Sequence, residues 1–170
     1  MTVKRIFAIL VLAALTLTLT GCGETKAEPS APAVSTEAAT EPAAPDFAKV
    51  YEDMSDKLPE MILLDDATMQ TYCGINKEDC LQAIAAVNLN GLETDEIWLI
   101  EAKDEAAMDE LEAAAQLRLK MKAEETETYA PAQYEVVKKA QLIREGTLLA
   151  LIVTPEAEAL ADVFRTAIGK

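Results

Sequence analysis

Ala140-Gln141-Leu142-Ile143-Arg144-Glu145-Gly146-Thr147-Leu148-Leu149-Ala150-Leu151-Ile152-Val153-Thr154 reads as two strands joined by a tight turn. Gly146 supplies the turn, because a residue without Cβ takes up a backbone conformation that a side chain opposes. Pro155 then breaks the second strand and starts a last helix at its first position. Thr154 is its N-cap, and Ala159, Leu160, Val163, Phe164 and Ile168 face inward.

Working back from this hairpin, Tyr129-Ala130-Pro131-Ala132-Gln133-Tyr134 makes a bend, and Glu135 to Lys139 returns as a short helical or irregular piece. Before the bend lies the longest helix, capped by Asp104 and running to about Thr126 through residues dense in Ala, Leu, Glu, Lys and Met. Met108, Leu111, Ala115 and Leu119 form its apolar stripe. Arg118 borders that stripe, where it either reaches a carboxylate on the sheet edge or stands exposed and unpaired.

Cys80 to Asn88 and Glu96-Ile97-Trp98-Leu99-Ile100 make a second strand pair around the turn signal Asn90-Gly91. The alanines of the first segment would also suit a helix. Branched and aromatic residues in its partner favour strand, and Trp98 is expected as core packing. Upstream, Asp46 caps a helix through Phe47, Val50, Tyr51 and Met54 that Pro59 ends. Asp65 caps a second helix through Thr68, Met69 and Tyr72 that stops at Gly74. The expected fold is α+β: a mostly antiparallel sheet of about four strands, made of two hairpins. The long central helix and the C-terminal helix pack on one face, behind small N-terminal helices.

The folded domain is expected over 46–170. Before it, Gly23 to Pro45 is Ala, Pro, Glu, Ser and Thr with one branched aliphatic, Val34, and cannot bury enough apolar surface to offset its ordering entropy. With Cys22 this makes a disordered tether over 22–45, averaging about 26 Å end to end as a coil. Residues 1–21 read as an export leader: Lys4 and Arg5, then an apolar run of about 15 residues from Ile6 to Thr20, short of a membrane span. Its end, Leu19-Thr20-Gly21-Cys22, resembles the lipobox of bacterial lipoproteins. That resemblance implies cleavage after Gly21 and a diacylglyceryl group, with palmitate-like chains, on Cys22. Two acyl chains moor a soluble domain durably, at about 0.8 kcal/mol per buried methylene.

The chain carries 15 basic and 30 acidic residues, a net charge of −15. Loss of Lys4 and Arg5 with the leader takes that to −17. This field disfavours nucleic acid and anionic head groups, so membrane attachment falls to the lipid; a cationic partner fits better. Histidine is absent, which removes Ser-His-Asp and Cys-His nucleophile systems and His-ligated zinc. No cofactor or metal motif is present. An acidic group such as Asp104, Glu105 and Asp109 could hold Ca²⁺ weakly, without an EF-hand loop. Cys73 and Cys80 form an even pair in an exported domain. They are either a disulfide worth about 2–3 kcal/mol or two small buried thiols.

Several residues together carry a likeness: Tyr72, Gly74-Ile75, Glu78-Asp79, Asp95-Glu96-Ile97, Arg118, Tyr129-x-Pro131-x-x-Tyr134, and Gly146 before an aliphatic strand. From Phe47 to about Phe164 the chain resembles the domain of unknown function 4358 family of bacterial, mostly Gram-positive, lipoproteins. The resemblance implies no activity. It singles out Glu96 and Arg118 as an ion pair or a ligand contact, with Tyr129 and Tyr134 as further candidates; the two cysteines are outside its pattern. The expected function is a non-enzymatic, lipid-anchored domain outside the cytoplasmic membrane that binds or scaffolds an envelope protein or the cell wall. The alternative is a carboxylate-based enzyme acting on wall glycans or peptides.

Overall fold

The computed structural model describes residues 44–170. The leader, Cys22 and nearly all of the tether therefore lie outside the described residues. Strands β4 (Gln141–Glu145) and β5 (Leu148–Val153) form the expected hairpin, in register from Gln141↔Ile152 to Glu145↔Leu148. Gly146 turns it at φ 57°, in the left-handed region where glycine has no steric cost.

The second hairpin also forms. β2 (Cys80–Asn88) pairs antiparallel with β3 (Glu96–Ala102), with a register irregularity between Cys80 and Gln82. β3 pairs in turn with β5, which joins the two hairpins into one sheet. A fifth strand, β1 (Met61–Leu63), adds to the free edge of β2 from Met61↔Asn88 to Leu63↔Ala86. The order is β1-β2-β3-β5-β4, antiparallel throughout. The sheet thus has five strands, one more than expected. β1 is only three residues long and its register is set by its neighbour, so its own sequence says little.

The helices differ in placement. α3 (Glu105–Tyr129) covers one face, where Met108, Leu111 and Ala115 pack on Trp98, Ile100, Leu149 and Leu151. α1 (Phe47–Ser55) and α5 (Ala157–Ala167) cover the other, with Phe47, Met54, Leu160 and Phe164 against Ile97, Leu99, Ala150 and Ile152. The long helix and the C-terminal helix therefore lie on opposite faces, not on one. The cause is in the central strands: Ile97 to Ile100 and Leu149 to Val153 are all fully buried, and successive side chains point to opposite faces. A sheet apolar on both sides must be covered on both.

Local signals set most boundaries. Asp46 Oδ1 accepts from Ala48 N and Asp104 Oδ1 from Ala107 N, each satisfying an orphan donor of a helix start. Asp104→Ala should cost about 1 kcal/mol in a urea titration, because α3 carries one wall of the core. α1 stops at Ser55, before Pro59. After Asp65, a single turn, α2 (Asp66–Thr68), widens into a π-helical stretch, Met69–Cys73, that ends at Gly74 with φ 76°. A short 3₁₀ turn, Lys77–Asp79, leads into β2, and α4 (Pro131–Val137) follows α3. α5 begins at Ala157 rather than Pro155. The carbonyl of the buried Thr154 accepts from Ala157 N, and Thr154's side chain does not cap the helix.

Candidate functional site

Glu96 opens β3 on the same face as Trp98, two residues on, and is 0% exposed. An ionised carboxylate there needs partners, since removal from water costs several kcal/mol (an order of magnitude). It has three. Trp98 Nε1 donates to Oε1 at 2.7 Å. Arg118 Nε lies 3.0 and 3.1 Å from the two oxygens, and its Nη2 lies 2.8 Å from Oε2. Lys122 Nζ stands 2.8 Å from Oε2 and also donates to the Thr94 carbonyl at 2.9 Å. Arg118 and Lys122 are one helical turn apart on α3, so both side chains descend on the same point.

Arg118 is held from outside as well, its guanidinium 4.1 Å from the centre of the Tyr72 ring. The π-helical stretch presents that ring, which is half exposed. Burial alone would raise the Glu96 pKa, but the Arg118 hydrogen bonds and the charge of Lys122 outweigh it and hold the carboxyl below its usual value. Arg118 is shifted further into its charged form: burial opposes this, and Glu96 more than compensates. Glu96 is therefore ionised, saturated with donors and shut off from solvent. That suits an anchor between α3 and β3 and does not suit a proton carrier near neutral pH.

The expected pairing of Glu96 with Arg118 is thus present, on a central strand rather than the sheet edge. Tyr129 and Tyr134 are not part of it. Tyr129 is 87% exposed at the far end of α3. Tyr134 lies on α4 with Lys138 Nζ 5.3 Å from its ring. Sequence reasoning missed Lys122. Its signal was there: it lies four residues after Arg118 and four before Thr126, a buried residue on the inward side of α3. Trp98, expected as packing, also serves as a hydrogen-bond donor.

Other polar groups are tied up in the same way. Arg144 on β4 reaches Glu105, Asp109 and Glu112 at 2.7 Å each, so the acidic start of α3 already holds a cation. Gln133 on α4 accepts from Thr94 and donates to Glu93, fastening α4 to the β2–β3 connection. Among the described residues no cluster of three or more Cys, Asp or Glu is arranged to hold a metal ion. Cys73 and Cys80 are both free, the first buried and the second half-buried. Burial and the neighbouring Glu96 charge push the Cys73 thiol up to about 12, which leaves it unreactive.

Residues 53–154 match the family model described as a domain of unknown function (DUF4358). The chain belongs to that family. The matched span of this DUF4358 domain runs from within α1 through β5 and so includes Tyr72, Glu96, Arg118 and Lys122. Comparison with curated proteins and with solved structures gives no match.

Proposed function

We propose that this DUF4358 chain is an extracytoplasmic bacterial lipoprotein, moored by a diacylglyceryl group on Cys22, whose domain binds or scaffolds another envelope component without catalysing a reaction. The observation that carries this reading is the stretch Lys4 to Cys22, a basic start, an apolar run and Leu19-Thr20-Gly21-Cys22. The site geometry supports the second half. Glu96 is committed to Arg118, Lys122 and Trp98, and a carboxylate so occupied has neither a proton to give nor room to attack. The enzyme alternative draws nothing from this cluster, because acid–base hydrolysis needs a second carboxyl of different protonation state across a cleft.

Metabolic labelling with an alkyne-bearing palmitate analogue tests the anchor. The wild type should take up label, Cys22→Ala should take up none, and Cys73→Ala and Cys80→Ala should label like the wild type. An unlabelled wild type would overturn the proposal.

A further inference from the structure

The chain has three asparagines, Asn76, Asn88 and Asn90, and the fold treats them differently. Asn88 is half-buried in β2, where its Nδ2 donates to Asp95 Oδ2 at 2.9 Å and its Oδ1 accepts from Asn90 N at 2.7 Å. The nitrogen that follows it, Leu89 N, donates to the Glu60 carbonyl at 2.9 Å. Asn76 is half-buried too and caps the 3₁₀ turn, its Oδ1 accepting from Glu78 N at 3.2 Å and its carbonyl from Asp79 N at 3.0 Å. Asn90 and Gly91 are both exposed, in the connection from β2 to β3.

Neither backbone conformation nor packing requires a glycine at position 91. Its φ lies outside the left-handed region, and a Cβ built on it would meet nothing within 4 Å. Among the described residues Gly91 N donates to no acceptor. The missing Cβ leaves that nitrogen unobstructed beside the Asn90 side chain. Leu92 N meanwhile donates to Asn90 Oδ1 at 3.2 Å, the side-chain turn that asparagine favours. This bond draws electron density from Cγ and can stabilise the negative charge that develops on Oδ1 when a nucleophile adds there.

We propose that Asn90 is a deamidation site, with Gly91 N as the nucleophile and water as the co-reactant. Solvent hydroxide takes the proton of Gly91 N and the N–Cγ bond forms. The Cγ–NH₂ bond then breaks, and the amino group takes a proton from water and leaves as ammonia. Water opens the resulting five-membered imide. Cleavage at its side-chain carbonyl gives aspartate, and cleavage at its main-chain carbonyl gives isoaspartate, in which the backbone runs through Cγ. The isoaspartyl backbone is one methylene longer just before Glu93 and Thr94, through which Gln133 and Lys122 fasten α4 and α3 to this connection. The modification thus reaches a structural joint of the domain.

The test is peptide mass mapping, with the site located by fragmentation, of the full-length chain kept folded in detergent in mildly alkaline heavy-oxygen water. The same chain unfolded in guanidinium chloride runs beside it. In the folded chain residue 90 should exchange its amino group for a hydroxyl that carries heavy oxygen, in aspartyl and isoaspartyl forms, while Asn76 and Asn88 keep their amides. The folded rate at Asn90 should lie within about tenfold of the unfolded one, a barrier difference of at most about 1.4 kcal/mol. Gly91→Ala should keep the wild-type denaturation midpoint and slow the conversion about tenfold or more, because its methyl group crowds the nitrogen. An Asn90 that stays intact in the folded chain would overturn the proposal. So would equal conversion of Asn88, or a Gly91→Ala chain that converts at the wild-type rate. Should that variant fail to fold, the comparison of the three asparagines in the wild type still decides.

Discussion

Replacing Glu96 with Gln should lower folding stability by about 3 kcal/mol in a urea titration, among the largest effects of any single polar substitution in this domain. The loss does not come from a missing attraction alone. Glu96→Gln leaves Arg118 and Lys122, 11% and 9% exposed at their side chains, as two like charges inside the α3–β3 contact with no anion between them. Replacing Glu96, Arg118 and Lys122 together with apolar residues of similar volume should recover most of the stability, because the same desolvation cost is then removed from both signs. If Glu96→Gln behaves like a surface change, within about 0.5 kcal/mol, the cluster is not an anchor.

The same carboxylate sets an acid limb. Its folded pKa lies below the usual value, so between that folded pKa and the ordinary carboxyl range the unfolded chain binds the proton that the folded chain refuses. Stability therefore rises with pH through this window and is lost as pH falls through the folded pKa. The Glu96→Gln chain should lack that part of the slope, which paired denaturant titrations at acid and neutral pH would read directly.

Trp98→Ala should cost about 4 kcal/mol. Trp98 is among the largest side chains with no exposure and packs in the layer that α3 closes. Its removal both opens a cavity and takes one donor from Glu96 Oε1. Trp98→Phe separates the two effects: it keeps most of the volume and loses the hydrogen bond, and should cost about 1–2 kcal/mol. Equal losses in the two variants would place the whole effect in the hydrogen bond.

Both hairpins were legible because each has a turn residue with a physical reason and a strand with strong preference: Gly146 before Leu148–Val153, and Asn90-Gly91 before Glu96–Ile100. The cap of α3 at Asp104 was legible for the same reason, a short carboxyl at the right offset from Ala107 N. The layer arrangement was harder. The uninterrupted aliphatic run of β5 implies cover on two faces, but nothing local says which helix goes where; that follows only once β3 and β5 are neighbours. β1 is too short to announce itself and exists because β2 has an open edge. Of the candidate site, Glu96 and Arg118 could be singled out through the family likeness. Lys122 lies in a helix dense in charge, and only its spacing of four from Arg118 and from the buried Thr126 sets it on the inward side.

Lipid anchoring is read most directly from the mass of the N-terminal peptide of the chain extracted from the membrane fraction of cells that express it. That peptide should begin at Cys22 and carry a diacylglyceryl group. A peptide that begins at Met1, or one that begins near residue 22 without acyl mass, would contradict it.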